Sequence, residues 1–402
     1  MVPKIKLYLI LEIMTAAVIG GYQYFNKGLD AAILSGLTVL IAFSPFCLAL
    51  TTPIALHLAK KIVEMLGIKV NSKEALITLS QVDNVAISMN NIITNGNYYV
   101  TDLVPEGLSQ NSLLSFAAAA CRDSNHALAQ KIYETAVHRR LDVQSVAAFR
   151  EIPNCGVEAL MNNTPVRFGR PNWIESEKVE ISAELFTKVD QLAARGKTPL
   201  MLAMGRMARG IIALKDEIDM DSVEFLDKLK QNDFEIIMLS ADAKKTVNSI
   251  AKNIKIENFR AALAPEDKAR EVQLIRARKK FVAMIGKDVS DLPALISADV
   301  SILLQDGSLT LNDSELQMNF EINRLNQFMD LRKIAEHVSS IIKQNRWLAY
   351  FSWLLLLPPT LMMALENPPI SFNPVIAAVG VFLFAILIVA NSFRVKSIVA
   401  KS

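Results

Sequence analysis

Residues 31–58 carry no acidic or basic side chain except His57, and residues 348–365 and 367–393 carry none at all. Such runs fix a chain's environment before they fix its fold. About 18–20 apolar residues in a helix cross a hydrocarbon core, and in that medium the backbone must satisfy its own hydrogen bonds. Residues 7–26 form another run, interrupted only by Glu12. Four apolar runs flanking a polar middle predict four membrane helices, at about 7–26, 31–58, 347–365 and 373–393. Cations cluster at Lys4 and Lys6, at Lys60, Lys61, Lys69 and Lys73, at Lys343 and Arg346, and at Arg394, Lys396 and Lys401. All fall on the inner side of a membrane if both termini and the 60–345 region are cytoplasmic. The expectation is a multi-pass protein of the cell membrane, with the lipid bilayer as its first partner and short outer loops at 27–30 and about 366–372.

Composition agrees with a mixed chain. Hydrophobic residues make up 51% of the 402 residues, yet 21% are charged, so a sizeable water-soluble part is joined to the apolar runs. Net charge is only +3 with the cations scattered, which argues against a nucleic-acid partner. Cys47, Cys121 and Cys155 form no CxxC pair, which rules out a cysteine-built zinc site and a disulfide framework. Glu12 and the close second apolar run argue against a cleaved signal peptide.

The polar middle reads as α/β. Short β-rich runs at Val85–Ile87, Leu200–Ala203, Glu235–Leu239 and Phe281–Ile285 alternate with helical stretches such as Ser222–Gln231 and Lys244–Lys252. That alternation predicts parallel βαβ units with ligands at the carboxyl ends of the strands. Residues 99–196 break the rhythm and read as an inserted domain. The expected division is two membrane helices in 1–63, an α/β domain from 64–98 and 197–320, the insertion at 99–196, a connecting helix at 321–346, and two membrane helices in 347–402.

Several segments, in order, resemble the C-terminal half of the heavy-metal (type IB) P-type ATPases. Ser44-Pro45-Phe46-Cys47 stands at that family's intramembrane Cys-Pro-Cys motif, with Thr52-Pro53 after it. Gly67-Ile68-Lys69-Val70 through Glu74-Ala75-Leu76 resembles the family lead-in to the strand Val82–Ile87, which precedes the phosphorylation loop. Met238–Asp242, Pro265–Lys268 and Gly286–Leu295 are similar to the family's MLTGD, PEDK and GDGxNDAPAL segments. Gln344-Asn345 and Asn373-Pro374 open the last two spans as they do in the family. The resemblance implies a haloacid dehalogenase-like (HAD) phosphorylation domain carrying an inserted α+β nucleotide-binding-like domain, held on four membrane helices.

The resemblance also shows what is missing. A P-type pump needs an aspartate nucleophile at a strand end and Mg²⁺ bridging phosphate to carboxylates. Ser88 stands at the nucleophile position, followed by Met89, Asn90 and Asn91, and no base is adjacent in sequence. Lys287 stands where the first metal-binding aspartate belongs, and an ammonium there repels a cation. Asp291 is kept, Ser290 replaces an asparagine, and Asp288 is new and reaches a metal only through a register shift. Ser240, Asp242 and Lys268 keep the remaining HAD motif positions. In the insertion, His126 stands at the adenine-contacting histidine, Asn154 and Gly156 at the PGxGV loop, Gly169 at a Gly-Asn pair, and Cys121 at a glutamate. The resemblance implies ATP as the ligand of these residues, while Lys287 argues against Mg²⁺.

The transport path is altered in parallel. Soft metals such as copper want thiolate, imidazole or thioether ligands. Ser44 and Phe46 replace both cysteines, and Cys47 is displaced by one residue. Ser352-Trp353 stands at the family's Tyr-Asn, and Val381 and Phe384-Ala385 at its Met and Ser-Ser of the last span, while Pro45 and Pro53 still predict a broken second span. The residues before Ser44 are too few for the family's actuator domain. These readings point to a catalytically inactive homologue acting as a membrane accessory or regulatory protein, paired with an intact heavy-metal P-type ATPase. The alternative is an active component: half of a split metal-cation translocase completed by an actuator-bearing half, or a membrane HAD phosphatase.

Overall fold

The computed structural model describes residues 5–153, 155–305, 319–364 and 373–398. The chain divides into two compact units, Met1–Val82 with Asn312–Ser402, and Asp83–Leu311.

The first unit is helical. Ile5–Lys27 turns at Gly28 (φ 88°) into Leu29–Ala42, a left-handed backbone that glycine adopts without steric penalty. The second apolar run is broken as the prolines require: Leu29–Ala42, Phe46–Leu50 and Pro53–Met65 follow one another, with Pro45 preceding one segment and Pro53 opening the next. Among the described residues, Ile5–Lys27, Leu29–Met65 and Pro374–Ser397 are long and apolar enough to cross a membrane. The expected third span is the last part of one continuous helix, Gln327–Ala364, which runs through Pro358 and Pro359. The expected separate connecting helix at 321–346 is therefore corrected: Asn319–Ile322 is a strand, antiparallel to Lys69–Val70, and the helix starts only at Gln327. No turn signal separates its polar half from its apolar half, so the hydrogen-bonded ladder simply continues. Arg332 on this helix donates from Nη1 to the carbonyls of Leu79 and Val82, satisfying acceptors at and just beyond the end of the short helix Ala75–Leu79. Asn345 is buried and ties three elements, donating to Ser392 Oγ at 2.8 Å and Thr51 O at 3.3 Å and accepting from Asn391 Nδ2 at 2.9 Å.

The second unit holds two sheets. Five parallel strands run in the order Val300–Leu304, Val282–Gly286, Asn84–Ser88, Glu235–Leu239, Phe259–Arg260. Asn84–Ser88 and Val282–Gly286 are buried at every position, as expected for strands covered on both faces by helices. The other sheet is antiparallel with six strands, in the order Tyr99–Pro105, Met207–Lys215, Thr198–Met204, Thr164–Gly169, Gly156–Met161, Ala147–Ile152. Gln110–Cys121 and Ala127–His138 cover one face around Leu114, Ile132 and Phe168. Pro171–Ser176 and Ala183–Ala194 cover the other around Ile174, Met201 and Ile211. The expected boundary at 196 thus moves. Thr198–Met204, with the Leu200–Ala203 run assigned to the parallel sheet, and Met207–Lys215 both belong to the inserted sheet.

Candidate functional site

Parallel register brings three strand ends side by side. Ser88 pairs with Leu239, and Ile87 with both Met238 and Ile285. The segments that follow, Met89–Asn91, Ser240–Asp242 and Lys287–Asp291, therefore meet at the carboxyl edge of the sheet, where open α/β folds place their ligands.

Ser88 ends the central strand with 1% of its surface exposed, and its Oγ has no hydrogen-bond partner among the described residues. A hydroxyl nucleophile needs a base to take its proton and an opening through which the substrate arrives. Ser88 has neither. Asn90 and Asn91, after Met89, are each tied to a carboxylate of a neighbouring strand end. Asn90 donates from Nδ2 to Asp242 Oδ2 at 3.0 Å and accepts from Ser240 Oγ at 3.2 Å. Asn91 takes φ 60°, a conformation asparagine tolerates better than most residues, and donates from Nδ2 to Asp288 Oδ2 at 2.8 Å. Burial holds the Asp288 carboxyl above its ordinary range, opposed by the Asn91 hydrogen bond and assisted by the neighbouring Asp291. Asp216 and Tyr98, which no motif singles out, adjoin this cluster and are likewise shifted upward by burial and by Asp242.

Lys268 and Asp291 form a closed pair. Lys268 Nζ stands 2.8 Å from Asp291 Oδ1, while Asp291 Oδ2 accepts the backbone N–H of Lys287 at 3.2 Å and of Asp288 at 3.4 Å. Mg²⁺ requires carboxylate oxygens facing an open position. Here Asp242 and Asp288 each bind an amide N–H, Asp291 serves Lys268 and the backbone, and among the described residues no three acidic, histidine or cysteine side chains converge. Each of these three carboxylates is thus engaged by a donor of the protein.

A cavity of about 340 Å³ runs from these strand ends to the inserted sheet. Its lining brings together Asp242, Lys268 and Asp288 with His126, Gly156 and Gly169, while Ser88, Ser240, Lys287 and Asp291 are not part of it. Asn154 lies outside the described residues. His126 is exposed and caps the helix Ala127–His138, its Nδ1 accepting from Leu128 N–H at 3.2 Å. Gly156 (φ 158°) and Gly169 pair across adjacent strands beneath Trp173; a Cβ on Gly156 would lie 2.3 Å from Phe168 O, and one on Gly169 2.3 Å from Cys155 O. Both glycines are therefore required by packing alone. Cys121 is buried and Cys155 half-buried, and burial, then the Glu151 charge, pushes the Cys121 thiol up.

In the helical unit, Cys47 is 1% exposed among Leu48, Ala349, Ala385 and Ile388, and its thiol donates to Val381 O at 3.5 Å. Trp353 Nε1 donates to Ser44 O at 3.2 Å, closing over the break before Phe46.

Fold and site together define a class: a HAD core with a nucleotide-domain-like insertion, carried by helices of membrane length. A family profile described as haloacid dehalogenase-like hydrolase matches residues 85–299, and the chain belongs to that family. Over 397 residues it is 27% identical to a copper-exporting P-type ATPase of Legionella pneumophila, covering 99% of this chain and 53% of the relative. A probable copper-exporting P-type ATPase V of Mycobacterium tuberculosis is 26% identical over 385 residues, covering 95% of this chain and 49% of the relative. The chain spans about half the length of these curated relatives. Among solved structures, a zinc-transporting PIB-type ATPase in the E2.Pi state superposes with TM-score 0.66 at 24% identity, covering 96% of this chain and 62% of that one. The catalytic domain of the CPx-ATPase CopB-B superposes with TM-score 0.51 at 21% identity, covering 70% of this chain and 98% of that domain. The chain is thus similar to the C-terminal half of heavy-metal P-type ATPases in sequence and in fold.

Proposed function

We propose that this chain is a catalytically inactive homologue of the heavy-metal P-type ATPases, acting as a membrane accessory or regulatory protein. One observation carries the reading. The hydroxyl at the nucleophile position, Ser88 Oγ, is sealed and unpartnered, with Asn90 and Asn91 bound to the carboxylates in front of it. Phosphoryl transfer is mainly positioning plus electrostatic stabilisation by cations. Here Lys268, which lines the crevice, is bound to Asp291, and in the sequence Lys287 stands where the resemblance expects a metal-binding aspartate. The buried Cys47 thiol and the Ser44 carbonyl are likewise engaged within the protein, which supports loss of metal transport.

The expected partner is an intact metal-exporting P-type ATPase, met through helix faces corresponding to those such a pump uses within itself. The chain lies in the cell membrane with both termini and the 60–345 region cytoplasmic, as the cation clusters direct. The test is purified protein incubated with radiolabelled ATP, with and without copper or zinc, alongside affinity capture from native membranes. No acid-stable phosphoprotein, no phosphate release and co-capture of a complete pump are expected. Metal-stimulated phosphate release would sink the reading in favour of an active translocase component.

A further inference from the structure

We propose that the groove between the inner ends of the last two membrane helices, Gln327–Ala364 and Pro374–Phe393, is a binding site for one acidic phospholipid. From the reading above it takes only that these helices lie in a bilayer with the 60–345 region cytoplasmic; it is the same whether or not the HAD core is active.

The sequence sets the charge. From His337 to Ser402 the chain has one acidic residue, Glu366, at the junction between the last two apolar runs. Lys343, Arg346, Arg394, Lys396 and Lys401 all stand at the opposite, inner end of the same two runs. Basic pockets between membrane helices on the cytoplasmic side attract anionic headgroups.

Packing shapes the groove. Gln344 meets Asn391 and Arg394, and seven residues further on the Phe351 ring meets that of Phe384, with centroids 6.2 Å apart, so the two helices run antiparallel. Between them lies a groove of about 800 Å³. Gln344, Asn391 and Arg394 line one end and Leu348, Phe351 and Leu387 the other. The rise from Gln344 to Phe351 is about 10 Å, so the wall turns from polar to apolar over the depth at which a bilayer passes from headgroup to acyl chain. Trp347 lies between the two ends with 75% of its surface exposed, at the level where indole rings settle in membranes.

The polar end is preorganised. Arg394 Nη1 donates to Gln344 Oε1 at 3.1 Å and to Asn391 Oδ1 at 3.0 Å, and Asn391 Nδ2 donates to Oδ1 of the buried Asn345 at 2.9 Å. Both acceptors of the guanidinium are neutral amides, so its direction is fixed and its charge is kept. Among the described residues Arg394 has no carboxylate partner, and its Nη2 and Nε meet no acceptor. A planar fork with free donors takes a phosphodiester in bidentate fashion. A phospholipid brings its phosphate to this depth together with a chain for Leu348, Phe351 and Leu387. A partner helix matches the apolar end alone, and a free phosphate matches Arg394 alone.

The test is native mass spectrometry of the full chain in detergent, titrated with phosphatidylglycerol and with phosphatidylcholine of identical acyl chains, with thermal midpoints read in parallel. One phosphatidylglycerol is expected to bind at least about 10-fold more tightly than phosphatidylcholine and to raise the midpoint. Arg394→Gln is expected to bring the two lipids within about 2-fold, and Arg394→Lys to keep part of the preference. Lys396→Gln removes a cation of the same cluster that does not line the groove, and should leave the preference unchanged. Leu387→Trp fills the apolar end from an exposed position and should weaken both lipids at least about 10-fold; this variant decides the matter if Arg394→Gln does not fold. Equal binding of the two lipids, a preference that survives Arg394→Gln, or a preference lost equally in Lys396→Gln overturns the inference. Displacement of the lipid by millimolar glycerol 3-phosphate overturns it as well, since the site then reads phosphate alone. With a photo-crosslinking amino acid in place of Trp347, capture of lipid in native membranes is expected, and capture of a protein instead overturns the assignment.

Discussion

Lys268 Nζ lies 2.8 Å from Asp291 Oδ1, and their side chains are 2% and 0% exposed. The family resemblance assigns them to two separate stations of a phosphoryl-transfer site, the lysine to the phosphate and the aspartate to the metal. In the folded chain they answer each other. Ammonium and carboxylate out of water are held by their mutual attraction and by the two backbone N–H groups on the free carboxylate oxygen.

Lys268→Met should therefore be strongly destabilising, by about 3–5 kcal/mol, because it strands a buried carboxylate. Adding Asp291→Leu should recover most of that loss. Denaturant titration of the single and double variants checks this; a double variant as unstable as the single would show that the pair is not the cause.

Ser88→Ala should leave stability unchanged or raise it by up to about 1 kcal/mol, since the hydroxyl it removes is buried and unpartnered. Ser88→Asp should form no acid-stable phosphoprotein with ATP, because Asn90 and Asn91 still bind the carboxylates around it. Thermal midpoints read the first expectation and radiolabel incorporation the second.

Gly156→Ala should cost more than about 2 kcal/mol, because the new methyl meets the Phe168 carbonyl at 2.3 Å on a backbone at φ 158°. Loss of the cooperative transition of the inserted domain, followed by hydrogen exchange along Gly156–Met161, is the measurement.

The pH dependence of stability has a defined sign at Asp288. Its folded-state pKa lies above the model-compound value of 3.8, so the folded chain resists ionisation. Its contribution is full below 3.8 and declines as pH rises through the folded value. Asp288→Asn keeps an acceptor for the Asn91 amide and removes the titration. The midpoint difference between variant and wild type should be smallest near pH 4 and grow in the variant's favour toward neutrality; a pH-independent difference would contradict the assignment.

Cysteine chemistry should discriminate sharply. Cys121 is buried and its thiol is pushed up by burial and by Glu151, whereas Cys155 is half-buried beside the same cavity. Maleimide labelling of the native chain followed by peptide mapping should mark Cys155 well before Cys121.

Much of the α/β core was legible in the sequence. Glu235–Leu239 is bounded by turn residues and flanked by helical patterns, and the strand forms over those residues. Leu200–Ala203 misled because a run of apolar β-formers looks alike in parallel and antiparallel sheets; only its partners at Thr164–Gly169 and Met207–Lys215 decide which sheet it joins. In the site, the departures at Ser88 and Lys287 were plain from the residues themselves. The amide clamps were not, because Asn90 meets Asp242, and Asn91 meets Asp288, only once three strand ends are in register. Tyr98 and Asp216 carried no motif and owe their place to the folding back of the inserted sheet.

The contact between Trp353 and the carbonyl of Ser44 has an electrical meaning. A carbonyl freed by a break in a membrane helix is the kind of oxygen that can replace water around a bare cation. An indole N–H donates to it at 3.2 Å, and the Cys47 thiol donates to Val381 O nearby, so two carbonyls beside the break already carry hydrogen bonds from side chains of the protein. The interruption that follows Pro45 is closed from within by the chain itself.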